Sequence, residues 1–341
     1  MSENLYQIDI TYYSNLSQIE KTLVEGEIYS IAKRSLTGAN IAHNIELIHI
    51  LNKTYGYRPE VLLIYSDEIL IGFIPLSILN DKAISLPHFS YGGVCGVFHL
   101  KQNHIDKIIK SLSMKYGGGF MIREFQPYSK HVFNEKVTYH LQLEKSSDDQ
   151  FAVFNKKLRS QIRKATKNGI TVIPGTLEDF YMVYIENMHY KHGSPHLSQE
   201  LFNNLLHLYS SGEVKIFTAK FNDKVVGSCF MIGFHDFIEV CWAATSLKYN
   251  HLSPNMLLYW TVISYAVDHK YKIFSFGRST RDSGPQRFKK QWGAVEIPLV
   301  WSSDKAFDLS HSKLKFLTKI WRLTPSIVTD SLSPIITKYI Y

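Results

Sequence analysis

The sequence predicts an α+β chain of two domains, each a mixed, mainly antiparallel sheet flanked by helices. Three observations predict this. Apolar residues recur at helical spacing in some segments and at strand spacing in others, and both kinds occur in each half of the 341 residues. Three apolar runs between 214 and 245 are joined only by Asn222-Asp223 and His235-Asp236, the pattern of an antiparallel meander. A polar stretch at 144–150, EKSSDDQ, interrupts the pattern and divides the chain into domains at 1–147 and 148–303, with 304–341 as a tail.

In order, residues 5–12 read as a strand. Segment 40–55 reads as a helix, with Ile41, Ile45, Ile48 and Leu51 on one face. Strands at 61–65 and 69–79 meet at the turn Ser66-Asp67-Glu68. A helix at 105–116 closes on Gly117-Gly118-Gly119, and strands follow at 120–125 and 137–143. The second half opens with a helix at 151–168, ended by Gly169, and a strand at 170–173. Helices follow at 177–191 and 198–210, then the meander at 214–221, 224–234 and 237–245. A helix at 254–269, a strand at 272–276, an irregular stretch and a strand at 296–301 complete the reading.

With 45% hydrophobic and 20% charged residues, the composition is that of a globular chain. The formal net charge of +8 favours anionic partners, although a modest basic excess is common without one. Cys95, Cys229 and Cys241 are scattered, with no paired spacing, so neither a disulfide framework nor a metal site is expected. The start lacks a basic segment followed by an apolar core, and the longest apolar stretch is broken at Ser66-Asp67-Glu68. The expected location is cytoplasmic.

Four segments carry candidate chemistry. Ser253-Pro254-Asn255 opens an apolar helix directly after a strand, with Ser253 as its cap. Backbone N–H groups there suit a pyrophosphate or carboxylate, and equally an ordinary capped helix. The most unusual segment is 274–293, FSFGRSTRDSGPQRFKKQWG. A strand breaks at Gly277, and Arg278, Arg281, Arg287, Lys289 and Lys290 then crowd around Gly284-Pro285 and Trp292-Gly293. Cations at the carboxyl end of a strand suit a phosphate or a developing oxyanion. Lys156, Arg159, Arg163 and Lys167 share one face of the 151–168 helix. That stripe suits tRNA, a nucleotide-sugar or acidic lipid, or simply solvent. Tyr91-Gly92-Gly93 lies in a glycine-rich loop that is either a structural turn or a ligand cradle, and it does not match a P-loop. His189, His192 and His196 lack the spacing of a metal set.

The segments LRSQIRKATKNGITV (158–172), NMHYKHGSP (187–195), Trp242 to Asn255, and FSFGRSTRDSGPQRFKKQWGA (274–294) resemble FemAB-like proteins of the GNAT superfamily. The resemblance is nearest to the group associated with exosortase and exopolysaccharide gene systems. HFSYGGVCG (88–96) and IWRLTPSIVTDSLSPIITKYI (320–340) extend it over most of the chain. Phe288-Lys289-Lys290 is similar to a late motif of the FemA and FemX enzymes, which move an amino acid from aminoacyl-tRNA to an amine. The resemblance implies two GNAT-like domains in tandem, with Lys289 or Lys290 near an acyl donor. The chain has neither a Q/R-x-x-G-x-G/A loop nor a long helical arm, so acyl-CoA and aminoacyl-tRNA both stay open as co-substrate.

The expected activity is N-acyl transfer to an amine, such as an amino sugar in cell-surface or extracellular polysaccharide synthesis. The acceptor would be a small molecule or a nucleotide- or lipid-linked amine. No tightly bound cofactor and no metal is expected. Lys289 and Arg278 are the expected catalytic contacts to donor phosphate or oxyanion. Asn255, Gly277, Ser279, Trp242, Phe288 and Lys290 would hold the donor, with Trp292 as an apolar wall. Tyr91, Gly92 and Gly93 would line the acceptor cleft. Arg159, Arg163 and Lys167 would form the basic face. Two rival readings stand: a tRNA-dependent aminoacyltransferase, and a non-catalytic factor docking at the inner membrane through the basic amphipathic segment 311–322, HSKLKFLTKIWR.

Overall fold

A computed structural model describes residues 7–35, 40–117, 119–305 and 318–340. The chain forms β1 (Asp9–Tyr12), α1 (Gln18–Arg34), α2 (Glu46–Tyr55), β2 (Arg58–Ser66), β3 (Ile69–Leu79), β4 (Lys82–Ile84), β5 (Cys95–Gly96), α3 (Gln102–Lys115), β6 (Phe120–Glu124) and β7 (His131–Gln142). Then come α4 (Ser147–Val153), α5 (Lys156–Lys167), β8 (Ile170–Pro174), α6 (Leu177–Glu186), α7 (Gln199–Leu208), β9 (Glu213–Phe221), β10 (Lys224–Phe234) and β11 (Phe237–Thr245). The last elements are α8 (Pro254–Asp268), β12 (Ile273–Ser275), β13 (Ser279–Thr280), α9 (Gly284–Lys290), β14 (Val295–Ser303) and α10 (Ser326–Thr337). No described helix is long and apolar enough to cross a membrane.

Two compact units result, Met1–Val137 with Pro298–Phe307 and Thr138–Ile297 with Asp308–Tyr341. In the first, β1, β2, β3 and β4 are antiparallel in that order, β6 joins β4 in parallel, and the end of β14 joins β6 antiparallel. In the second, β8, β9, β10 and β11 are antiparallel, β12 joins β11 in parallel, and the end of β7 joins β12 antiparallel. One design is therefore used twice, an α+β arrangement of a mixed, mainly antiparallel sheet with flanking helices.

The first unit buries Leu62, Ile64, Ile74 and Leu76 of the central strands against Ile105, Ile108 and Leu112 of α3. Full burial of such a side chain contributes about 1.5–3 kcal/mol. In the second, Leu158, Ile162 and Ala165 of α5 recur at helical spacing and are buried, and α8 buries Leu258, Val262 and Ile263.

Several elements differ from the sequence reading. The units divide inside β7 and β14, because both strands run unbroken across the division; Ser146, in the polar stretch, instead caps α4 by accepting from the Asp149 N–H. The single helix read at 151–168 is two, because the Asn155 side chain accepts from the Leu158 N–H and starts α5 afresh. The helix read at 40–55 starts at Glu46, after a short turn that Asn40 caps. Helix α1 is absent from the sequence pattern: its buried positions Val24, Ile28, Ile31 and Ala32 make a narrow stripe, and its clearest signal is the capping box of Ser17 and Glu20. The stretch after Gly277 contains α9, capped by Ser283. Of the basic tail segment 311–322, residues 311–317 lie outside the described residues.

Candidate active site

Strands β11 and β12 pair over three positions only, Phe237 with Ile273, Ile238 with Phe274 and Glu239 with Ser275. β12 then ends, while β11 continues to Thr245 against β10. In that continuation Met231 faces Val240 and Phe230 faces Trp242, so Cys241 is an extra, bulged residue. A bulge bends its strand and locally interrupts the pairing. Gly277 turns the chain at φ +66° before β13 pairs with β7, and a Cβ there would come within 2.5 Å of the Val240 carbonyl oxygen. Only glycine meets both demands without strain. Regular parallel pairing thus stops at Glu239 and Ser275, and the bulge and the Gly277 turn lie just beyond it at the carboxyl end of β12.

A buried polar network fixes the turn. The Lys289 ammonium, 6% exposed, donates to the carbonyl oxygens of Gly277 at 2.8 Å and Arg278 at 3.0 Å. Thr138 Oγ1 donates to the same Gly277 oxygen at 3.2 Å. Ser275 Oγ donates to the fully buried Glu239 carboxylate at 2.9 Å and accepts from the Gly277 N–H at 3.2 Å. Burial pushes the Lys289 amine down to about 7, the Glu239 charge opposes that shift, and Arg278 adds to it. Burial likewise lowers Arg278, against the pull of Glu239. Two cations and one carboxylate share a low-dielectric site in which the nearby charges count for more than they would in water.

Apolar walls complete the second unit's site. Trp292 is buried among Phe154, Tyr259, Phe276 and Phe288, with ring centroids 5.5 to 6.2 Å away. Ser279 Oγ and Trp292 Nε1 are buried without a hydrogen-bond partner among the described residues, which costs each about 1–3 kcal/mol unless a ligand supplies one. Asn255 lies in the first turn of α8, one turn before Tyr259, and Gln291 Nε2 reaches the neighbouring Met256 sulfur at 3.7 Å. Ser253 holds the cap position in the left-handed conformation at φ 61°, and its hydroxyl makes no capping bond; this corrects the side-chain cap read from sequence.

The structure does not gather every expected residue. Trp242 packs on Phe202 at 5.1 Å and Phe230 at 5.7 Å, in a different aromatic cluster from Trp292. Lys290 is exposed, and Arg281 is spent on Glu296 at 3.1 Å. On α5, Arg159 donates to the Ala152 carbonyl and Arg163 lies over the Phe151 ring at 5.2 Å, while Lys167 is exposed. His189 meets Thr329, and His196 meets Tyr181 and Asp330, so the histidines do not converge.

In the first unit, Tyr91 is buried against Phe125, and the Gly92 N–H donates to the Arg123 carbonyl at 2.8 Å. A Cβ on Gly93 would fall inside the Glu124 carboxyl group, so glycine here makes room for that side chain. Glu124 and Phe125, with Val94, Leu100 and Gln126, line a cavity of about 200 Å³. Burial raises the Glu124 carboxyl to about 7, although backbone N–H groups of Phe125 and Val94 hold it down. The sequence reading missed Glu124 and Glu239; both lie on apolar strands, where a lone acid is the available signal.

Residues 152–290 match the family model described as an acetyltransferase (GNAT) domain. Among solved structures, the chain is similar to FemX, at 14% identity and a TM-score of 0.59 over 86% of this chain and 98% of that one. It is also similar to a tandem GNAT protein from the clavulanic acid biosynthesis pathway, at 8% identity and 0.55 over 89% and 100%. A third likeness is the C-terminal domain of a putative lysylphosphatidylglycerol synthetase from Agrobacterium fabrum, at 9% identity and 0.53 over 87% and 96%. At these identities the likeness is one of fold, two GNAT-like domains in tandem. No curated protein matches the chain.

Proposed function

We propose that this acyltransferase, whose residues 152–290 match a GNAT acetyltransferase domain, holds a thioester or ester donor at the carboxyl ends of β11 and β12 and passes its acyl group to an amine. The observation that carries the reading is the Gly277–Arg278 turn held by buried Lys289 where the parallel pairing of β11 and β12 stops. The amine nitrogen attacks the acyl carbon, the C–N bond forms, the bond to the donor sulfur or oxygen breaks, and the amine proton leaves to solvent or a base. Such chemistry needs placement and a stabilised oxyanion. Arg278 is the cation for donor phosphate or oxyanion. Lys289 is the positioning residue, because its ammonium already serves two carbonyl groups. Asn255 and the start of α8 hold the donor, and Trp292 and Phe288 wall it.

The donor proposed first is acyl-CoA. The acceptor is an amine, with an amino sugar of surface or extracellular polysaccharide as the candidate that the sequence resemblance supports. The Glu124 cavity is the first unit's own candidate for an ammonium-bearing group. A second reading, transfer from aminoacyl-tRNA, is favoured by the exposed Lys156 and Lys167 on α5 and by the fold likeness to FemX.

Thermal melts of the full chain with acyl-CoAs of graded length and with aminoacyl-tRNA test the donor, since a ligand of the native state raises its melting temperature. Arg278→Met should cut transfer about 100-fold, the usual effect of removing one oxyanion contact. Unchanged turnover in that variant refutes its role.

A further inference from the structure

Helix α10 is built inside out. Its buried residues are Thr329, Ser333 and Thr337, four apart on one face. Their hydroxyl groups donate to carbonyl oxygens within the helix, those of Ser326, Thr329 and Ser333, so the buried face needs few outside partners. The large aliphatic residues point the other way. Ile327 is 79% exposed and Ile335 62%, and Leu323, in the helical turn at 318–323, is 77% exposed. Leu332 and Ile340 extend the same exposed set. A helix covering a core turns its aliphatic stripe inward.

The helix is seated by specific contacts within the second unit. His189 Nδ1 bonds Thr329 Oγ1 at 3.1 Å, and His196 Nε2 meets Asp330 at 3.2 Å. Arg322 Nη2 donates to the Lys191 carbonyl at 2.7 Å. The Thr318 carbonyl oxygen lies over Gly193, where a Cβ would come within 2.6 Å. The polar face is therefore the docked face, and the outward aliphatic face is the one left for another surface.

Charge identifies that surface. Lys319 and Lys338 stand beside the aliphatic residues in the sequence, Arg322 is exposed while its guanidinium also holds the Lys191 carbonyl, and Asp330, the acid among residues 318–340, is turned to His196. Aliphatic side chains flanked by cations fit the interface of an anionic bilayer. We infer that α10 and the turn before it form a docking face for an anionic lipid surface, on which the second unit lies without spanning it. This goes beyond the acyl-transfer reading, and docking can be tested whether or not that reading holds.

The full chain should co-sediment with vesicles of phosphatidylcholine and phosphatidylglycerol at 7:3, and at least tenfold less with phosphatidylcholine alone. Ile327→Asp with Ile335→Asp should reduce anionic-vesicle binding at least tenfold. Leu323→Asp, outside α10, should reduce it on its own, which keeps the test valid where the double variant unfolds. Ile173→Asp, at an exposed apolar site on β8, should bind as wild type. Equal binding to both vesicle types, or unchanged binding by folded Leu323→Asp and the folded double variant, overturns the inference. So does a wild-type chain that binds neither vesicle and instead forms dimers that these substitutions dissociate.

Discussion

Replacing Lys289 with Met separates the locking role of this side chain from mere core filling. Methionine keeps much of the volume and removes the charge. The folded-state amine lies at about 7, against an ordinary 10.5. Between those values the unfolded chain binds a proton that the folded chain does not, so wild-type stability rises with pH across the window. Each pH unit is worth up to about 1.4 kcal/mol, which gives about 3 kcal/mol between pH 7 and pH 9.5. The variant lacks this rise. It also strands the Arg278 carbonyl, at about 1–3 kcal/mol, and leaves the Gly277 carbonyl to Thr138 alone, and at pH 7 relief from burying an ammonium offsets much of that. The variant should therefore lie within about 2 kcal/mol of wild type at pH 7 by the same balance, and the gap should widen by about 3 kcal/mol at pH 9.5. Urea denaturation at closely spaced pH values measures this directly. A gap independent of pH would contradict the lowered titration of Lys289. Transfer by the folded variant should fall in kcat, and unchanged kcat would remove Lys289 from the site.

Glu124 titrates with the opposite sign. Its folded carboxyl lies at about 7, above the ordinary 4.5, so the folded state binds the extra proton and stability falls as pH rises between them, by about 3 kcal/mol. Glu124→Gln should flatten that fall in urea titrations, and an undiminished slope would assign it elsewhere. Gly93→Ala should destabilise the first unit by about 3 kcal/mol or more through collision with Glu124, and Gly93→Ala with Glu124→Ala should recover most of the loss; equal loss in single and double variants would contradict the contact. Gly277→Ala combines a left-handed backbone with a clash at Val240, so it should cost about 2–4 kcal/mol and weaken donor binding. Wild-type binding by that variant would argue against the turn as part of the site.

The meander at 214–245 was legible because the apolar run between each pair of polar turns has few other foldings. The segment after Gly277 was legible as a site because cations, glycines and tryptophan are unusual company at a strand end. What brings them together was not legible. Lys289 reads in sequence as a free cation, but it serves carbonyl groups 11 and 12 residues earlier. Glu239 reads as an interruption of an apolar strand, and its value depends on the parallel pairing with Ser275 from across α8. Trp242 and Trp292 read alike, and the bulge at Cys241 is what sends Trp242 to the Phe202 side. Helix α10 is legible only in part: its Ser and Thr spacing is plain in the sequence, while the choice of which face is docked comes from His189, Gly193 and His196.

The most direct test of the central claim is amide hydrogen exchange of the full chain with and without whichever donor supports turnover. Protection is expected in β11 from Val240 to Thr245, in the first turns of α8 around Asn255, and between Gly277 and Trp292. A donor that supports turnover yet protects none of these three segments would contradict it.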